Sequence, residues 1–559
     1  MGDDGSHPLL QGAQSRIFAE TKDPGILRQF SVSADASVSS IIGSKMGPGL
    51  SVIFMLNSLT GLSLLTLPYG FSQAGLLLGA AILFGCMVLA FVTSTFMCEA
   101  LTIANALQYE EAEKRALSEY GPDLLNKLSD QHKRASQTSS FGSKGEPVLL
   151  CKADTVTDFI TETRVKNSES EFKIRERVEL GPMGEMVLHS RRGKSVAHGI
   201  YLMVLSYTYG TASALVVTVN ESLSHTVCTS MALATGEQDS CDEKAVYLGS
   251  VVVTFFVTLP LCFTNLQKTK KFTLVIMVLR FIAIAVMLLI GGIQALNRVN
   301  QEGSGRVFQD VPLWRPENFM AVFANAVFLF GVHHYLPSMI APLEPQRLAP
   351  KVIWTAFSIC YLLIISVCST ALLAFGGETE AACSSKPGGH LCAIQPIYNL
   401  NFAPLNCAGG AVAIFLLAYP AMAIASIPIA AITTRNTMGR WLGLPASDPE
   451  KPYTRTNVLL TLTVLVPPFI VAALTTNVQA VIAYVGGYSG LTVAVLCPLI
   501  LVTKTRRELN LERDGDAPRP LKSPFANRFG YALVIIFYCL ALVLVTKKLF
   551  FTPPAAAAR

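Results

Sequence analysis

Residues 51–74 read SVIFMLNSLTGLSLLTLPYGFSQA, long enough to span a bilayer yet interrupted at the middle by Asn57-Ser58, Thr60-Gly61 and Ser63. A lipid-facing helix has no use for polar groups at that depth, where each must be satisfied inside protein or along a cavity. Asn57 supplies an amide, Thr60 and Ser63 supply hydroxyls, and Gly61 tolerates non-helical backbone. Unwinding there frees carbonyl oxygens for a small cation and offers the N–H groups of the following half-helix to a carboxylate. A packing face of small residues reads the same way from this stretch alone.

The surrounding chain is just as apolar. Over 559 residues, 51% are hydrophobic and 15% charged, and the mean hydropathy is +0.46, which rules out a soluble multi-domain protein. The formal charge of +6 is scattered over loops, so no nucleic-acid partner is expected. The opening MGDDGSHPLLQGAQ lacks the basic and apolar regions of a cleavable signal, so the first span is expected to direct insertion.

Apolar runs place about eleven spans, near residues 51–74, 76–104, 196–220, 245–263, 272–296, 318–342, 351–375, 406–434, 455–474, 478–503 and 529–550. The expected organisation is a cytoplasmic tail at 1–50, spans 1–2 within 51–104, a large cytoplasmic loop at 105–195, spans 3–11 within 196–550 and a tail at 551–559. Only Thr475-Thr476-Asn477 separates the ninth span from the tenth. With the N-terminus in the cytoplasm, inner loops hold about 16 Lys/Arg, including Lys268, Arg347, Arg435 and Arg507, against about 5 outside. That bias sets the orientation.

Cysteine placement agrees with it. Cys228 and Cys241 fall in one outer loop, and Cys383 and Cys392 in another, where a disulfide can form and persist. Cys228 with Cys241 is the disulfide candidate, the alternative being unpaired small residues. Asn220-Glu221-Ser222 matches a glycosylation sequon but abuts the end of the third span. In the large loop, residues with helical spacing give way near Ser136 to a stretch that reads as disordered. Arg28 before Ser31 and Arg134 before Ser136 fit basophilic kinases, although a solvated linker is the simpler reading.

A second interruption lies five spans after the first. FANAVFLFGVHHYLPSMIAP, residues 323–342, places Gly331, His333, His334 and Pro337 at mid-span. Proline removes a ladder N–H and glycine permits the bend. Corresponding interruptions in two halves are the pattern of an all-α membrane protein with a five-plus-five inverted repeat, in which spans 1 and 6 are broken around a binding site. Intramembrane histidines are functional candidates, as cation partners or proton acceptors; the plain alternative is an imidazole bonded to neighbouring backbone. Arg280 lies about 12 Å of helix rise from the cytoplasmic end of the fifth span, where gating, structural and snorkelling roles are all open. Glu99, low in the second span, is placed to pair with a basic group, and Ser426 beside Pro428 offers a hydroxyl to a cation. No phosphate loop, HExxH, GxSxG or CxxC motif is present, so neither an enzyme nor an ATP-driven pump is expected, and no metal site.

With these residues in view, the chain resembles the amino acid/auxin permease family. The likeness is carried in order by MLNSLTGLSLLTLP (55–68), TSTFMCEALTIANA (93–106), RERVELGPM (175–183), LRFIAIAVM (279–287), HHYLPSMIAP (333–342), YNLNFA (398–403) and IPIAAITTRN (427–436). It implies eleven spans in a LeuT-type fold and amino-acid transport driven by Na⁺ or H⁺. It further implies that Asn57, Thr60 and Gly61 form the bend, that Ser426 belongs to a sodium site and that His334 lines the pocket. One departure stands out. Relatives tend to bend at Gly-x-Gly, whereas this chain has Gly61-Leu62-Ser63, which puts a side chain where substrate backbone would approach.

The resulting expectation is a secondary transporter (a symporter) for an amino acid or similar zwitterion, with no cofactor beyond the coupling ion. The alternative is a sensor using the same pocket without flux. An ion channel has no filter motif to support it. Leu9-Leu10 after Asp3 and Asp4 approximates a dileucine sorting signal, leaving lysosomal or endomembrane location open beside the plasma membrane.

Overall fold

A computed structural model describes residues 46–138, 174, 178–188, 191–235, 241–263, 270–376, 393–402, 410–444, 453–508 and 521–551. Cys383, Cys392, the two kinase sites' Arg28 and Ser31, the dileucine and much of the large loop lie outside them or beyond its described side chains. Within the described residues the secondary structure is helical, apart from one isolated bridge between Met46 and Leu343.

The first span is two helices, α1 (Pro48–Leu59) and α2 (Leu62–Ala74), which meet at 56°. Proline at the start of α1 suits a position whose N–H has no helical partner. At its far end the Thr60 N–H and hydroxyl both donate to the Leu56 carbonyl at 2.8 Å, closing the last turn. The second span opens α3 (Leu76–Thr138), whose apolar part is Leu76–Leu107. Then follow α4 (Leu180–Val187), α5 (Arg191–Thr235), α6 (Glu243–Leu261), α7 (Lys270–Glu302) and α8 (Ser304–Asp310). Asp242 caps α6 by accepting from the Lys244 and Ala245 amides at 3.2 Å.

The sixth span divides into α9 (Phe319–Phe330), a 3₁₀ turn at Val332–His334 and α10 (Leu336–Ile340). Helix α11 (Ala349–Phe375) is the seventh span. The eighth is α12 (Gly410–Ala418), a 3₁₀ stretch at Tyr419–Ala425 and α13 (Ser426–Trp441). Helix α14 (Arg455–Leu474) is the ninth; the tenth runs through α15 (Val478–Tyr484), π-helical turns at Val485–Gly490 and Thr492–Leu496, and α16 (Cys497–Glu508). Helix α17 (Arg528–Thr546) completes the body.

Among the described residues eight helices are long and apolar enough to cross a membrane, and the bent first pair makes a ninth. The expected sixth and eighth spans fall outside that count because 3₁₀ turns cut each into shorter pieces. Restoring them returns about eleven. The short link between spans nine and ten is a true break: α14 ends at Leu474, and the Asn477 side chain caps α15 by accepting from the Ala480 amide at 3.0 Å.

Two boundaries differ from the hydropathy reading. The third span, expected to end at 220, continues to Thr235. Asn220 does not mark an exit, because its amide is fully buried, donating to the Val216 carbonyl at 2.8 Å and accepting from the Thr254 hydroxyl at 2.9 Å. Those bonds also take the sequon asparagine out of reach of glycosylation. Further along the same helix, Cys228 is joined to Cys241 with a Cα–Cα distance of 5.6 Å. The second departure is α4, inside the expected large cytoplasmic loop: Leu180, Met183 and Val187 are buried, and Glu179 pairs with Arg440 at 3.0 Å.

At the far end of the second span the fully buried Glu99 takes Arg506 in both arms, Nε to Oε1 and Nη2 to Oε2 at 2.7 Å each. The Ser523 amide donates to Oε2 at 2.9 Å, and Arg506 also donates to the Ala526 carbonyl. The clamp fixes the chain entering α17 against the second and tenth spans. Removing one partner strands the other's charge, so Glu99→Gln is expected to cost about 3 kcal/mol or more. The double variant Glu99→Gln/Arg506→Met should recover part of that loss, as thermal unfolding of the purified protein will read.

Candidate functional site

The break in the first span faces the fifth. Past Leu56, whose carbonyl is taken by Thr60, the Asn57 carbonyl accepts from Arg280 Nη1 at 2.7 Å, and Asn57 Oδ1 accepts from the same nitrogen at 3.1 Å. Tyr419 stands beside the same guanidinium, both lining one pocket. Around this group lies a cavity lined by Gly61, Leu65, Thr218, Arg280, Tyr419 and Ala423, among others, with about 420 Å³ of empty space including its opening to solvent. A Cβ on Gly61 would meet only the Ser58 carbonyl, at 3.7 Å, so the bend leaves the cavity floor bare.

Beyond the break, α2 and α9 are tied by amides. Thr66 Oγ1 donates to Asn325 Oδ1 at 2.6 Å, and Asn325 Nδ2 donates to Gln479 Oε1 at 2.9 Å. Gln479 Nε2 in turn donates to the Thr66 and Pro396 carbonyls, both at 3.0 Å. Close by, α9 and the tenth span touch so closely that a Cβ on Gly486 would lie 2.2 Å from the Ala324 carbonyl oxygen. Spans 1, 6 and 10 thus meet along one seam.

The sequence-derived candidates separate into groups. Asn57, Gly61 and Arg280 come together at the cavity. Thr60 adjoins it, with its hydroxyl turned back on α1. Ser63 is buried within α2, its carbonyl accepting from Thr66 at 3.4 Å. At the sixth-span break Gly331 packs against Tyr207, whose hydroxyl oxygen would sit 2.6 Å from an added Cβ. The half-buried His334 has Nδ1 3.2 Å from the Gly331 carbonyl and its ring edge-on to Tyr207. His333 is fully buried, with Nε2 2.9 Å from Thr93 Oγ1 and 3.2 Å from Ser94 Oγ, and so binds the break to the second span. Ser426 begins α13, just beyond cavity residue Ala423; among the described residues no hydrogen bond joins it to the first span. Glu99 belongs to the clamp with Arg506. Among the described residues, no cluster of His, Cys, Asp and Glu side chains could hold a metal ion.

Thr66, Asn325, Gln479, Tyr419 and Thr218 escape a search for Gly/Pro interruptions. Asn325 carries the most usable signal, an amide inside the apolar run FMAVFANAVFLF.

Two broken spans, five apart and joined through α2 and α9 in a body whose described residues are helical, define a membrane transporter of LeuT-type fold. Residues 45–138 and 173–543 match the family model described as transmembrane amino acid transporter protein, and the chain belongs to that family. It is 26% identical over 517 residues to the transmembrane protein 104 homolog of Dictyostelium discoideum, covering 91% of this chain and 98% of that one. Identity to human transmembrane protein 104 is also 26%, over 523 residues, covering 88% and 95% of the two chains. Among solved structures, MhsT in complex with L-phenylalanine aligns with a TM-score of 0.48 at 10% identity, covering 90% of this chain and 98% of that one. A manganese transporter of Eremococcus coleocola aligns at 0.45 and 12% identity, covering 89% and 86%.

Asn325→Leu keeps the side chain's size while stranding polar groups on Thr66 and Gln479, so a stability loss of about 2 kcal/mol is expected. Gln479→Leu should cost a similar amount, and the double variant clearly less than the sum, in thermal unfolding.

Proposed function

We propose that the protein moves an amino acid or similar small zwitterion across its membrane, coupled to a Na⁺ or H⁺ gradient. The observation that carries this reading is the cavity at the first-span break, where a guanidinium and a helix start lie beside a bare glycine. Helix α2 begins at Gly61 without a side-chain cap, so its first N–H groups and Arg280 favour a carboxylate. The apolar lining by Leu62, Leu65 and Leu215 suits the rest of a small molecule. Rocking spans 1 and 6 against the remaining helices would expose the site alternately to each side. The loop charges favour a cytoplasmic N-terminus, in a lysosomal, endomembrane or plasma membrane.

A sensor without net flux is the second reading, favoured by one observation. The cytoplasmic segment before the third span is fastened to the transport body: the Ile174 amide donates to Gln346 Oε1 at 2.9 Å, and Glu179 meets Arg440. A ligand-driven change could therefore reach the loop.

Purified protein in proteoliposomes, offered a panel of amino acids with Na⁺ and pH gradients imposed separately, is expected to show saturable uptake of at least one. Ligand-induced thermal stabilisation with no uptake would favour the sensor, and neither response across the panel would end both readings.

A further inference from the structure

Arg280 is a half-buried guanidinium within a membrane span, and among the described residues it forms no ion pair with a carboxylate. Its Nε is buried and without a hydrogen-bond partner. The groups that meet it are the Asn57 carbonyl, the Asn57 side-chain oxygen and the Tyr419 hydroxyl, none of which carries a full negative charge. An uncompensated charge at this depth is expensive and marks a ligand path. The place it occupies is equally telling. A half-helix that stops at mid-membrane leaves carbonyls without N–H partners and a negative dipole end, the usual seat of a coupling cation. Here the carbonyl of Asn57, in the last turn of α1, is already held at 2.7 Å by the protein's own cation.

We propose that Arg280 is the resident cation of the broken first span, taking on the Asn57 carbonyl the place of a coupling Na⁺, while its guanidinium receives the carboxylate of a ligand in the adjoining cavity. The inference rests on the transporter reading for its cargo but not for its cation. A Na⁺ competing for the same carbonyl would lie about 4 Å from the guanidinium, where repulsion weakens its binding by on the order of a hundredfold or more. A carboxylate gains what the Na⁺ loses. It meets the one charge in the cavity that has no carboxylate partner, over a floor that Gly61 leaves without a side chain.

The test has two arms. Thermal unfolding of the purified full chain is followed while NaCl replaces choline chloride, in the wild type, Arg280→Met and Arg280→Lys. The wild type and Arg280→Lys are expected to show no Na⁺-specific shift, whereas Arg280→Met gains one. In the second arm, proteoliposome uptake of the amino-acid panel is measured in Na⁺ and in choline at equal pH. Wild-type uptake is expected to persist in choline, amines lacking the carboxylate should not compete, and Arg280→Met should lose apparent affinity by about tenfold or more. A Na⁺-specific shift in the wild type, or uptake that requires Na⁺, overturns the proposal. So does a folded Arg280→Met with unchanged affinity and no Na⁺ response. If Arg280→Met fails to fold, the wild-type Na⁺ titration still decides. Absence of all uptake would instead count against the transporter reading, leaving the Na⁺ titration to judge the resident cation alone.

Discussion

The structure turns on a carbonyl oxygen that has lost its place in a helix. At the end of α1 the Leu56 carbonyl is taken by Thr60, and the next carbonyl, that of Asn57, accepts from Arg280 at 2.7 Å. Unpaired backbone at mid-membrane costs several kcal/mol per group, so a span can break only where the protein supplies a donor. Arg280 is that donor. It reaches across from a helix 223 residues further along the chain, which makes the break of the first span a property of the assembled body.

The sixth span solves the same problem with different parts. Gly331 and Pro337 bracket the break, and His333 anchors it by hydrogen bonds to Thr93 and Ser94 on the second span. An imidazole held by two hydroxyls fits a packing role, whereas the half-buried His334 keeps contact with Tyr207 and the break itself. Both breaks therefore sit beside a ring and a hydroxyl, but only the first opens onto the cavity that holds a formal charge.

Much of this was legible in the sequence, for a physical reason. Glycine, proline and hydroxyl residues inside an apolar run announce a break locally, so Gly61 and Gly331 could be read without knowing their neighbours. The partners of those breaks are long-range. Arg280 seen alone is compatible with snorkelling, and only the packed bundle shows it turned to Asn57 instead. The seam of Thr66, Asn325 and Gln479 is harder still, because each is ordinary in its own stretch and the information lies in their meeting. Polarity also misled. Asn220-Glu221 reads as a membrane exit, yet the Asn220 amide finds Thr254 on the neighbouring helix and α5 continues unbroken.

The two faces of the molecule are held by bonds of unequal strength. The α2 and α9 halves of spans 1 and 6 meet the tenth through neutral amide and hydroxyl bonds, each worth about 1 kcal/mol net. The other face is held by charge: Glu99 with Arg506 joins the second and tenth spans, and Glu179 with Arg440 joins the segment before the third span to the eighth. That same segment grips Gln346, between spans 6 and 7, so it ties the sixth and seventh spans to the eighth. Deleting one member of such a pair strands the other and costs about 3–5 kcal/mol, whereas separating both into water returns each charge to solvent. The ion pairs therefore make their face sensitive to the loss of a single partner, while the four bonds among Thr66, Asn325, Gln479 and Pro396 hold the other face by acting together.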